Sequence, residues 1–149
     1  MCGILGNFGY IERDNFSEHV SKLSPLLTRR GPDQTNIIDI ENFLAVHSRL
    51  IIQGNPEDGI QPIRFKNIAI LFNGNLYNKD ILKTELEIKG YTFNGVSDTE
   101  VVAVSIYHWG KKAFKKFNGF FSIACFYLNE KRLILARDRL GQKPLYYSK

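Results

Sequence analysis

The segment Phe120-Phe121-Ser122-Ile123-Ala124-Cys125-Phe126-Tyr127-Leu128 constrains the fold more than any other part of the chain. Its length suits a β-strand, and both of its alternating faces carry apolar side chains, so neither face can be left to water. Such a strand is covered on both sides, as in stacked sheets with helices outside. Periodicity alone does not choose among the layered α+β folds that satisfy this. The remaining segments supply the other layers. Gly3 to Tyr10 is short, apolar and glycine-punctuated, and reads as a buried strand. Phe16, Val20, Leu23 and Leu27 recur at helical spacing behind Asp14 or Asn15 as the cap, and Gly31-Pro32 stops that helix. Strands follow around Asn36–Ile40 and Phe43–Leu50, with Glu41-Asn42 as the hairpin turn. A looped stretch from Gly54 to Pro62 leads to a third apolar run, Asn67–Phe72, and Asn73-Gly74-Asn75 after it has the composition of a turn. Helices fit Lys79–Lys89 and Asp98–Trp109, the second capped by Asp98 and ended by Gly110. Arg132–Ala136 pairs back on the long apolar strand across Asn129-Glu130-Lys131.

With 149 residues, 44% hydrophobic and 23% charged, the chain suits one domain with a real core and is excluded from general disorder. No apolar run reaches the roughly 18–20 residues that span a bilayer. The N-terminus, MCGILGNFGY, has no basic segment followed by a long apolar one, so it does not read as a signal peptide. A cytoplasmic protein without a membrane partner is the expectation. The net charge is +5, concentrated at Lys111-Lys112-Ala113-Phe114-Lys115-Lys116-Phe117. Ala113, Phe114 and Phe117 fit the buried stripe of a short helix, which makes these lysines a solvated face and argues against a nucleic-acid partner. Two cysteines are too few for a disulfide framework or a zinc site. The three histidines, His19, His47 and His108, share no ligand spacing, so no metal is expected. Cys125, among Phe and Tyr in mid-strand, reads as a small inert core residue.

Chemistry concentrates elsewhere. Cys2 follows the initiator and precedes Gly3, and a small second residue permits removal of Met1. That would give Cys2 a thiol and a free α-amine able to take the thiol proton through water. Its bland alternative is a buried cysteine at the start of a core strand. Asn73-Gly74 offers an amide side chain and an unhindered N–H, the donor types that stabilise a tetrahedral oxyanion; the alternative is a plain turn. Arg49 can fork onto a carboxylate, and Asp98 can accept from an ammonium. Singly, each is also a surface ion pair or a helix cap. His47 stands two before Arg49, so on a strand both face one side; it could position Arg49 or the Cys2 region, and the favoured reading is a packed, hydrogen-bonded imidazole.

Taken together, Met1-Cys2-Gly3-Ile4, Arg30-Gly31-Pro32-Asp33, His47-Ser48-Arg49-Leu50, Gln61-Pro62, Phe72-Asn73-Gly74-Asn75-Leu76-Tyr77-Asn78 and Ser97-Asp98-Thr99-Glu100 closely resemble the class II glutamine amidotransferase domain. The tail from Ala136 to Tyr147 (ARDRLGQKPLYY) is similar to the asparagine-synthetase branch in particular. The resemblance covers essentially the whole chain in the family's order. It implies an N-terminal nucleophile hydrolase fold, a four-layer αββα sandwich of the α+β class. It further implies Cys2 as nucleophile with its α-amine as base, and Asn73 with the Gly74 N–H as oxyanion hole. Arg49 would hold the glutamine α-carboxylate, Asp98 the α-ammonium, and the backbone around Leu50 to Ile52 would line the pocket. The products would be glutamate and ammonia, the ammonia passing to a synthetase domain or subunit.

Several positions depart from that pattern. Asn75 stands near the substrate amine where the synthetase branch usually has Glu and the phosphoribosylpyrophosphate amidotransferase branch has Asn. Arg29 replaces a common His, Asp33-Gln34-Thr35-Asn36 leaves the usual continuation, and the strand to Leu128 lacks a frequent Trp-Asp ending. Family members continue beyond the position of Lys149 into further glutaminase strands and a synthetase domain. Residues 1–149 are therefore expected to be the amidotransferase domain, shortened at its C-terminal end and without the synthetase part. Neither a Ser-Gly-Gly-x-Asp loop nor a P-loop occurs, so no cofactor is expected here; ATP and Mg would belong to the synthetase part. Two competing readings are an N-terminal nucleophile hydrolase acting on another amide, such as an acylase, and an unprocessed domain that only docks. The first has no need for paired charges like Arg49 and Asp98.

Overall fold

A computed structural model describes residues 2–9, 13–40, 42–51, 57–95 and 97–148. Alternation along one strand, β5 (Ile68–Leu76), sorts its core into two layers. Ile68, Ile70, Phe72 and Leu76 point one way, into a cluster with Leu82 of helix α2 (Lys79–Ile88) and Val102, Ala103 and Ile106 of helix α3 (Asp98–Trp109). Ala69 and Leu71 point the other way and meet Phe43 and Ala45 of strand β3 (Phe43–Arg49). One strand thus faces helices on one side and a second sheet on the other.

The sheet around β5 has four antiparallel strands in the order β4 (Ile63–Phe65), β5, β6 (Gly119–Tyr127), β7 (Arg132–Arg137). The second sheet has three, β1 (Gly3–Phe8), β3 and β2 (Gln34–Ile40), with β3 central and Gly3 opposite Ser48. Helix α1 (Arg13–Thr28) packs on β1 and β3, and α2 and α3 cover the far side. Helix, sheet, sheet and helix stack as the expected αββα sandwich. The doubly apolar strand is β6, whose Ile123 and Cys125 reach the α2–α3 layer while Ala124 and Phe126 reach the other sheet. Cys125 is buried in the core as expected, and that burial pushes its thiol up to about 12, against the pull of Arg132 and a hydrogen bond with Tyr127.

Among the described residues no helix is long and apolar enough to cross a membrane. The lysine-rich segment forms a 3-10 turn (Gly110–Lys112) and a one-turn helix, α4 (Ala113–Lys116), with Ala113 and Phe117 buried and Lys116 held by Glu85 at 2.8 Å.

Four local expectations are corrected. Asn73-Gly74-Asn75 is not a turn but the last third of β5, paired with Ser122, Phe121 and Phe120. Strand pairing overrides the turn preference of Asn and Gly, and glycine is needed because a Cβ on Gly74 would lie 2.2 Å from the Phe120 carbonyl oxygen. The cap of α3 is Ser97, whose Oγ accepts the Thr99 N–H at 3.1 Å; Asp98 is the first helical residue. Asp14 and Asn15 lie inside α1, which begins at Arg13. A short strand, β4, follows the loop where none was expected. Strand β1 ends at Phe8, and Tyr10 and Glu41 lie outside the described residues.

Candidate active site

Three strand ends, those of β1, β3 and β5, converge at one end of the sandwich. Phe43 stacks on Phe126, the partner of Ala69, while His47 lies by the Phe72 backbone, so β3 and β5 run the same way; the residues that follow on the shared face are His47 and Arg49 on one strand, Asn73 and Asn75 on the other. Strand β1 runs against β3, which places Cys2 beside the end that carries Arg49. Cys2 is partly exposed, and its carbonyl accepts from Arg30 Nε at 3.4 Å. Six of the expected residues, Cys2, Arg49, Leu50, Asn73, Gly74 and Asn75, are therefore brought to this end.

Arg49 is 8% exposed despite its charge. Its Nη2 donates to the carbonyl oxygen of Asp58. The backbone after it is pinned by Asp33, whose N–H donates to the Arg49 carbonyl at 3.0 Å and whose Oδ2 accepts the Ile51 N–H at 2.7 Å. Leu50 is fixed between these bonds, while Ile52 lies outside the described residues, as does Met1.

Asp98 reaches the same end from α3. Its Oδ2 accepts the Leu76 N–H at 2.8 Å, tying the helix start to the last residue of β5, and its Oδ1 faces Lys79 Nζ at 3.7 Å. Two connections link Asp98's neighbourhood to Arg49 and Asn73. The turn at Gly59, with φ +72, passes so close that a Cβ there would lie 2.5 Å from Ser97 Oγ and 3.6 Å from Arg49 Nη2. Gln61, 4% exposed, accepts the Phe72 N–H at 2.5 Å and donates to Thr99 Oγ1 at 3.1 Å. Asp33, Asp58, Gly59, Gln61 and Lys79 had no role from sequence reasoning. The Gln61-Pro62 motif and the Asp58-Gly59 pair in a loop were the available signals.

His47 is fully buried on the same face as Arg49. Burial pushes its imidazole down to about 4, the Arg49 charge pushes the same way, and the Phe72 backbone opposes both. The Phe72 contact falls short of hydrogen-bond geometry, and neither ring nitrogen has a partner. The imidazole is packed as expected, but the expected hydrogen bonding is absent among the described residues. No group of three or more His, Cys, Asp and Glu placed to hold a metal occurs among those residues.

Comparison with known proteins bears on this arrangement. The model of a family described as the glutamine amidotransferase domain matches residues 1–149. Asparagine synthetase [glutamine-hydrolyzing] 1 of Bacillus subtilis is 36% identical, over 99% of this chain and 24% of its own length. Asparagine synthetase [glutamine-hydrolyzing] 2 of Arabidopsis thaliana is 34% identical, over 98% of this chain and 25% of its own length. The chain thus spans about a quarter of the length of these curated relatives. Glutamine phosphoribosylpyrophosphate amidotransferase from B. subtilis superposes with a TM-score of 0.76 over 97% of this chain and 38% of its own, at 22% identity, which establishes a shared fold.

Proposed function

The chain belongs to the glutamine amidotransferase domain family, and from that premise we propose that it hydrolyses the side-chain amide of glutamine, with Cys2 as the nucleophile. Removal of Met1 frees the Cys2 α-amine to accept the thiol proton through water. The thiolate attacks the amide carbon, and the tetrahedral oxyanion forms against the Asn73 side chain and the Gly74 N–H. Collapse expels ammonia, and water then releases glutamate from the thioester. Arg49 takes the substrate α-carboxylate and Asp98 its α-ammonium, with the backbone of Leu50 to Ile52 along the pocket and Asn75 beside the amine. The ammonia serves an asparagine-synthetase-like amidation in a partner domain or subunit, where ATP and Mg act. The reading places the protein in the cytoplasm.

The observation that supports this most is the convergence of Cys2, Arg49, Asn73 and Asp98 at one end of the sandwich, where the Gly59 turn runs between Arg49 and Ser97, the residue before Asp98. An amino acid carries two opposite charges that such a pair matches, and a simple acylated substrate does not. Reaction with 6-diazo-5-oxo-norleucine, followed by peptide mass spectrometry, tests the reading. One adduct on a Met-free Cys2, blocked by excess glutamine, is the expected result, and Cys2→Ala should lose both the adduct and glutamine turnover while staying folded. Turnover that survives Cys2→Ala overturns the assignment.

A further inference from the structure

The Asp98 carboxylate is already engaged on both oxygens. Oδ2 accepts the Leu76 N–H at 2.8 Å, which leaves Oδ1 the more open acceptor for a substrate ammonium, and that is the one Lys79 Nζ faces at 3.7 Å. The two side chains are 17% and 26% exposed, which limits the screening between them. Lys79 is also poorly placed for its own helix. It is the first residue of α2, where the positive end of the helix favours an anion, and the adjacent Asp80 is the residue that suits that position.

We propose that Lys79 sets the affinity for glutamine by competing, as a built-in ammonium, for the Asp98 oxygen that receives the substrate's own ammonium. The inference rests on the assignment of Asp98 to the substrate α-ammonium and deepens it. Lys79 Nζ and a glutamine α-ammonium present the same primary-ammonium chemistry to the same carboxylate. At 3.7 Å the lysine makes a charge contact beyond hydrogen-bond range, and an incoming ammonium that makes a true hydrogen bond displaces it. Displacement leaves two like charges near one carboxylate, so the lysine weakens binding before and after the exchange. A residue at this place acts on the substrate amine alone; the amide carbon lies with Cys2 and Asn73.

Lys79→Met, measured in glutaminase assays of the processed protein, should lower KM for L-glutamine about three- to fivefold with kcat unchanged. Lys79→Arg should keep the wild-type KM. 4-Carbamoylbutanoate, which is glutamine without its α-amine, serves as a competitive inhibitor, and its Ki should be the same in wild type and Lys79→Met. A KM that is unchanged or raised in Lys79→Met, or a Ki that falls in parallel with KM, overturns the proposal while glutamine turnover and its dependence on Asp98 stand. Wild-type protein without glutamine turnover, or Asp98→Asn with an unaltered KM, overturns the parent assignment and this one with it.

Discussion

The layer between the two sheets is built from the same strands at both ends, yet the ends have opposite chemistry. At one end Phe43, Ala45, Ala69, Leu71, Ala124 and Phe126 form a dry cluster, with Phe126 stacked on Phe43 at 4.9 Å and edge-on to Phe8 at 5.7 Å. A few residues further along the same strand faces stand His47 and Arg49 on β3, Asn73 and Asn75 on β5 and Ser122 on β6. The polar end is scarcely wetter by exposure: His47, Arg49, Asn73 and Ser122 are all buried. Unpartnered buried atoms gather there too, at Gln34 Oε1, Asn36 Nδ2 and both His47 nitrogens, while Ser105 Oγ within α3 is the remaining instance among the described residues. A sheet interface built for packing alone would continue the apolar pattern, because burying polar side chains costs free energy that apolar ones do not. The switch along β3 and β5 therefore coincides with the proposed site, and the other end anchors the sandwich.

Substitutions at the two ends should separate these roles. Phe126→Ala, at the dry end, should cost about 3–5 kcal/mol of unfolding free energy by leaving a cavity under Phe43 and Phe8. At a temperature where the variant is folded, its KM and kcat for glutamine should match wild type; denaturant melts beside steady-state assays read both, and a loss of activity in the folded variant would erase the contrast. Asn73→Ala, at the polar end, should do the reverse. Removal of an oxyanion donor lowers kcat about 10²–10³-fold, which is roughly 3–4 kcal/mol of transition-state stabilisation. The melting curve should move far less than that of Phe126→Ala, and an unaltered kcat would take Asn73 out of the proposed chemistry.

The two ends were also unequally legible in the sequence. The dry end follows from alternation: an apolar run on both faces of residues 120–128 demands two covering layers, and β6 occupies that place with bounds shifted by one residue. Helix α3 was legible to the residue, Asp98–Trp109, because Asp98 and Gly110 bracket a largely apolar segment. The polar end was harder. Asn73-Gly74-Asn75 carries turn chemistry, and only the close passage of Phe120 and Phe121 explains a glycine in mid-strand. Asp98 reads as the cap of α3, but Ser97 caps it, and the Asp98 carboxylate goes instead to the Leu76 N–H, 22 positions away. Gln61 was visible as a motif residue, but its bridge from Phe72 to Thr99 joins segments that local patterns cannot bring together. Site residues were thus readable as types, and their mutual geometry was not, because it depends on pairings far apart in the chain.

The last and smallest contrast concerns acid. Burial, reinforced by Arg49, holds the folded-state pKa of His47 at about 4, against an ordinary value of 6.5. The unfolded chain therefore binds the proton first as pH falls. Stability from the neutral imidazole is fully present above about pH 6.5, declines between 6.5 and 4, and is lost once pH drops below the folded value. A shift of this size corresponds to about 3 kcal/mol across that window. Carboxylates titrate at its lower edge, so the quantity to measure is the difference between wild type and His47→Gln, which cannot titrate. Denaturant unfolding at pH 7 and pH 4.5 should show wild type losing more stability than the variant. Phe126→Ala, altered only at the dry end, should keep the wild-type pH slope from its lower starting point. Parallel slopes for wild type and His47→Gln would mean that water reaches the imidazole in the folded protein. The polar end would then be an open cleft, and its unpartnered atoms would be solvated rather than a cost carried by the fold.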